Sequence, residues 1–216
     1  NLDHAVPLML NGTKWNQLKS NDVFSVPKSF LVNTPDIRQS ATAANYLAAL
    51  AYVLNNREVP NLANASDFGK KLAPVILKQG FQEGTLAGPF EDYLGTGMGK
   101  APMVLIYESQ FVQAVLENKI VNTKHVLVYP KPNIVLKHVV VAKNAAGKKF
   151  AELLAQNPTI QAVAAKYGFR TTDSAMFQNQ MKKVNLPFYD ILDIAEMPNT
   201  AVLNEISKPT LEGLSK

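Results

Sequence analysis

The chain has 216 residues, 47% of them hydrophobic, and carries a formal net charge of +5 with no cysteine. That length and apolar fraction suit one large or two small domains with a buried core and argue against disorder. The missing thiols exclude disulfides, thiolate metal sites and cysteine nucleophiles. The positive charge comes from scattered lysines, with Arg38, Arg57 and Arg170 the only arginines, so nucleic-acid binding, which needs a concentrated basic surface, is not expected. No apolar run approaches the length of a membrane span, so membrane insertion is not expected either. The N-terminal NLDHAVPLML lacks the basic start and long apolar centre of a secretory signal, which leads us to expect a processed chain or one that starts within a longer protein.

Val6 to Leu10 is a short apolar run that reads as a strand, followed by a turn at Gly12 and a short amphipathic turn in which Trp15 and Leu18 pack. Ser29 to Val32 is β-compatible, Asn33 to Arg38 carries the Pro and Asp of a turn, and Ser40 reads as the N-cap of a helix reaching Leu54. This strand, turn and helix form the expected centre of the chain, because a helix start beyond a strand end presents unpaired N–H groups to an anion or carboxylate. Ser66 to Gln79 reads as a second helix that Pro74 must kink or split. A short helix is expected around Phe90 to Leu94, within the glycine-rich stretch from Leu86 to Lys100.

Pro102 to Tyr107 (PMVLIY) is a continuous apolar run of the kind found in strands covered on both faces, with a helix after it through Phe111 and Leu116. His125 to Tyr129 and Ile134 to Ala142 read as further strands joined by an extended link through Pro130 and Pro132. Helices follow around Phe150 to Leu154, from Pro158 to just before Gly168, and over Phe177 to Lys183. After Leu186, three prolines predict loops and short turns. Strands alternating with helices imply an α/β fold with mixed, largely parallel sheets flanked by helices.

Several chemistries fail at the level of spacing. GTGMGK is not a phosphate loop, because Leu94 stands where the first Gly is needed and Ala101 where Ser or Thr is needed. His4, His125 and His138 show no paired metal-ligand spacing, so no metal and no cofactor are expected. Neither a nucleophile elbow nor a helix-borne HExxH occurs.

Three stretches, in this order, resemble the type II class of bacterial extracellular solute-binding proteins: NTPDIRQSATAANYLAALAYVL, APMVLIYESQF, and VLVYPKPNIVLKHVVVAKNAAGKKFAELLAQNPTIQAVAAKYGFR. Their order and spacing carry the resemblance, which covers about Val6 to Arg170. It implies a periplasmic-binding-protein type II-like α/β fold of two lobes that close on ligand by a hinge. Residues 11–128 would form a central lobe, and residues 1–10 with 129–216 the crossing strands and helical part of the other. Nothing precedes the segment that resembles the entry to the second lobe, so the chain is similar to a fragment with one lobe complete and the other partial. The resemblance further implies a periplasmic or extracellular, non-catalytic receptor that binds a small polar solute or oxyanion and hands it to the membrane permease subunits of an ABC-type transporter. It places ligand contacts at Arg38, Gln39, Ser40 and Thr42 and at Tyr107, Glu108 and Ser109.

Four of these residues also have a plainer reading. Ser40 caps its helix whether or not it meets a ligand, and Arg38 either pairs with Asp36 or holds a ligand carboxylate or oxyanion. Tyr107 either packs in the core or ends at the ligand, and Glu108 beside an anion would repel it, which favours an amine or sugar-like ligand or a carboxylate turned away. Two alternatives to a receptor stand: a sensory or interaction domain of a larger envelope protein, and a hydrolase-like enzyme on a related α/β scaffold with Asp36, Tyr107 and Glu108 as its polar centre.

Overall fold

Nine α-helices carry the described part of the computed structural model, which comprises residues 1–19, 21, 24–85, 87–100, 102–120 and 125–215. In chain order they are α1 (Leu2–Leu10), α2 (Ala41–Leu54), α3 (Ala65–Leu77), α4 (Ala87–Thr96), α5 (Glu108–Leu116), α6 (Ala145–Gln156), α7 (Pro158–Lys166), α8 (Ser174–Lys183) and α9 (Thr200–Leu214). Among the described residues 52% are helical, 3% are strand-like and no sheet forms. The α/β fold with parallel sheets expected from the sequence is therefore corrected to a helix-dominated one. The picture of an α/β solute-binding receptor of a transport system is corrected with it.

The expected strands fail for a common reason. A short apolar run has no period of its own, and only its surroundings decide between helix and strand. Val6 to Leu10 belongs to α1, where Asn1 accepts from the Asp3 N–H at 2.9 Å and Leu2, Val6 and Met9 are buried at helical spacing. That period becomes visible only when Leu2 is included. Ser29 and Val104 take part in isolated bridges alone, Lys14 with Ser29 and Asn33 with Val104. Residues 125–130 and 134–143 run without helix, turn or bridge. The tail contains the other large departure: α9 continues through Pro209, capped by Asn199, which accepts from Val202 N–H at 3.1 Å.

The chain divides into two compact units, one of residues 1–105, 129–134 and 192–216, the other of residues 106–128 and 135–191. In the first unit α2 is the central helix. Its alanines and leucines are strong helix formers, and from Tyr46 to Ala51 it is buried all round, as expected of a helix surrounded by others. α3 lies against α9 with Gly69 beneath the Ile206 carbonyl, and Pro74 leaves α3 continuous to Leu77. Trp15 packs edge-on against Phe24 and Phe30, with ring centroids 5.5 and 4.9 Å away.

In the second unit the core is Val112 of α5, Ala165 of α7, and Phe177 and Met181 of α8. α7 begins with Pro158 at its first turn, capped by Asn157, and the chain leaves it through Gly168. Gly168 has a φ of +84°, and a Cβ there would come within 2.8 Å of Ser109 Cα and Val112 Cβ. Both the left-handed backbone and the close approach require glycine.

Candidate functional site

The turn before α2 places the first four expected contact residues in the first unit. Asp36, 2% exposed, is gripped by Arg38: Nε donates to Oδ1 and Oδ2 at 3.0 and 2.9 Å, Nη2 to Oδ2 at 2.5 Å, and the Arg38 N–H to Oδ1 at 2.9 Å. The Asp36 carbonyl accepts from the Gln39 and Ser40 N–H groups at 3.0 and 2.9 Å. The turn is thus pinned through both ends of one aspartate. Nε and Nη2 of Arg38 are committed to Asp36, while the side chain as a whole remains 53% exposed. Ser40 Oγ accepts from Ala43 N–H at 3.4 Å, a long capping bond. Gln39 lies over Gly84, where a Cβ would come within 2.4 Å of its Oε1, and Thr42 is buried.

Beside this turn is a cluster of amides that was not expected from the sequence. Thr34, 1% exposed, donates its N–H and Oγ1 to Gln79 Oε1 at 2.9 and 3.2 Å. Gln82 Nε2 donates to the same oxygen at 2.8 Å, and the Asp36 N–H donates to the Glu83 carbonyl at 2.9 Å. Gln82 Oε1 is buried and has no hydrogen-bond partner among the described residues. A glutamine in a loop carries no periodic signal, so only the fold reveals this cluster.

Electrostatics fix the state of the turn. The Arg38 side chain holds the Asp36 carboxyl below its usual range, and the Arg38 N–H adds to this, while burial opposes it. A carboxyl depressed in the folded state stabilises the fold above its unfolded pKa of about 3.9, and that contribution disappears as pH falls through the folded value. Asp36→Asn is therefore expected to be less stable than the wild type near neutral pH, with the gap closing as pH drops below about 4. Urea midpoints measured across that range check this; a gap that stays constant with pH would remove the carboxylate from the argument.

The other three expected contacts belong to the second unit. Tyr107, 37% exposed, precedes α5, and its N–H donates to Gln110 Oε1 at 2.8 Å. Glu108 is held bidentately by Arg170, Nε to Oε2 at 2.7 Å and Nη2 to Oε1 at 2.9 Å. Arg170 Nη2 also donates to the Tyr189 carbonyl at 2.7 Å, and the guanidinium packs 5.2 Å from the Phe177 ring and 5.0 Å from the Phe188 ring. Ser109 meets Gly168 at its Cα. These contacts give Glu108 an ion pair and Ser109 a close backbone contact within the second unit.

The carboxylates considered as an enzymatic pair, Asp36 and Glu108, each have an arginine of their own. The glycine-rich stretch forms a turn of 3-10 helix at Gly97–Gly99. Lys100 there pairs with Asp92 at 2.5 Å, and Lys28 Nζ donates to the Gly99 carbonyl. Leu86 and Ala101, which belong to the glycine-rich reading, lie outside the described residues. His138 stands edge-on to Phe169, with ring centroids 5.5 Å apart. Among the described residues no group of three or more His, Asp or Glu is arranged to hold a metal ion, and no helix is long and apolar enough to cross a membrane. A depression of about 200 Å³ between α7 and α8, lined by Ala162, Lys166, Met176 and Gln180, includes none of the seven expected residues and is smaller than usual small-molecule sites. Comparison with protein families, with curated proteins and with solved structures finds no match to this chain.

Proposed function

We propose that the chain is a non-catalytic binding module that takes a small anionic or carboxylate-bearing solute at the turn before α2. The observation that carries this reading is the arrangement of Arg38, whose inner edge is fixed by buried Asp36 while half of the side chain stays in solvent. A guanidinium oriented in this way can bind carboxylate or oxyanion through its second edge without first losing rotamer freedom. The first turn of the fourteen-residue α2 begins three residues later, at Ala41, and adds the positive end of its dipole. Binding is favoured over turnover because Asp36 and Glu108, the carboxylates considered for acid–base work, are both saturated by arginine, and a general base needs an oxygen ready to take a proton.

Thermal-shift screening with sulfate, phosphate, carboxylates, amino acids and sugars tests the reading. A ligand at about 100 times its Kd stabilises by about 2.7 kcal/mol, worth roughly 5–10 °C for a chain of this size. The shift is expected with anionic or carboxylate ligands and is expected to vanish in Arg38→Ala. No shift with any of these ligands, or an undiminished shift in Arg38→Ala, rules the site out.

A further inference from the structure

The segment 135–143, between the bridge at Asn133 and the cap of α6, is built like a strand and pairs with none of the described residues. It reads VLKHVVVAK, rich in β-branched residues that fit a pleated surface, and runs without turn or bend. Among the described residues none makes a backbone hydrogen bond to it. Val139 is 76% exposed and Val141 80%, with Val135, Leu136 and Val140 exposed beside them. On α6, directly after it, Phe150 and Leu153 are exposed as well. A row of open N–H and C=O groups flanked by apolar side chains is a template for another strand.

We propose that the occupant is a second copy of this chain, with segment 135–143 pairing antiparallel with itself across a two-fold axis. Two features select this partner. The first is area. The exposed fractions of these seven side chains amount to on the order of 400 Å² of apolar surface. A standard interface takes about 800 Å² from each partner, a little over half of it apolar, so one segment with its following helix supplies what a stable dimer needs.

The second feature is charge. Stacking copies in parallel register would place Lys137 over Lys137 and His138 over His138, and like charges directly opposite one another are destabilising. An antiparallel pair centred on Val139 sets Lys137 opposite Val141 and Val139 opposite its own copy instead. Such a pair is isologous and closes at two copies. Lys137 and Lys143 then act as the charges that prevent the segment from growing into an open stack.

Sedimentation velocity of the whole chain over a concentration series is the test. A monomer–dimer equilibrium is expected, and Val139→Lys combined with Val141→Lys is expected to raise the dimer Kd at least about 100-fold without changing the helical circular dichroism. Because the chain has no cysteine, Val139→Cys introduces a single thiol. Mild oxidation should join two copies through it, while the same change at Lys208 on α9 should not, since a disulfide forms only where the Cβ atoms approach to about 4 Å. The crosslink decides the matter even if the lysine variant fails to fold. A chain still monomeric at about 100 µM, a dimer unaffected by the two lysines, open-ended aggregation, or equal crosslinking at positions 139 and 208 would each overturn the proposal. So would preferential capture of an added unrelated strand peptide by a monomeric chain.

Discussion

Gly69→Ala is expected to lower the stability of the first unit by about 1–3 kcal/mol, although alanine is intrinsically the better helix residue by about 1 kcal/mol. A Cβ at position 69 would stand 2.4 Å from the Ile206 carbonyl oxygen, 3.0 Å from its carbon and 3.1 Å from Pro209 Cδ. The obstacle is backbone within α9, which cannot rotate aside as a side chain would, so α9 must move as a body and part with the core it covers through Val202 and Ile206. Thermal unfolding should show a fall of roughly 2–4 °C per kcal/mol. Gly95→Ala in α4 is the control, because among the described residues nothing lies within 4 Å of a Cβ there and the helix should gain up to about 1 kcal/mol. If the two variants behave alike, the close packing of α3 on α9 is wrong.

The second large effect belongs to Arg170. Removing it as alanine takes away the bidentate partner of Glu108, whose side chain is 15% exposed, together with a donor to the Tyr189 carbonyl and a cation between two phenylalanine rings. An exposed ion pair is worth about 0–1 kcal/mol, whereas stripping one partner from a buried pair costs about 3–5. With Arg170 itself 30% exposed, the expected loss is intermediate, about 2–3 kcal/mol including the ring contacts. Arg170→Lys should recover little, since an ammonium cannot reproduce the fork or the stacking. Hydrogen exchange of α5 and α8 is the suitable readout, because it reports on the second unit directly. Unchanged protection there in Arg170→Ala would reduce the arginine to a surface contact.

The helices were legible where a cap and a period coincided. Ser40 before the alanine–leucine run gives α2, and Pro158 with Gly168 brackets α7, because caps and breakers act within one turn of the chain. The strands were not legible, since β-propensity measures fit to a sheet and a run such as PMVLIY contains no information about whether neighbours exist. α9 was hidden by Pro209, which punctuates in sequence yet sits inside a helix whose Val202, Ile206 and Thr210 are buried at helical spacing. Of the candidate site, the pairing of Asp36 with Arg38 was open to sequence reasoning because it spans two residues. The pairing of Glu108 with Arg170 was not, because it joins positions 62 residues apart.

The packing of α3 on α9 also sets an order of events during synthesis. α3 ends at Leu77 and α9 begins at Thr200, and all of the second unit is encoded between them. At about 5–20 residues per second, the ribosome needs roughly 6–25 s to make the intervening stretch. Throughout that interval the faces of α2 and α3 that α9 covers have no mate. The N-terminal unit is therefore the last to be completed, and until then it is the part of the nascent chain that most needs a chaperone.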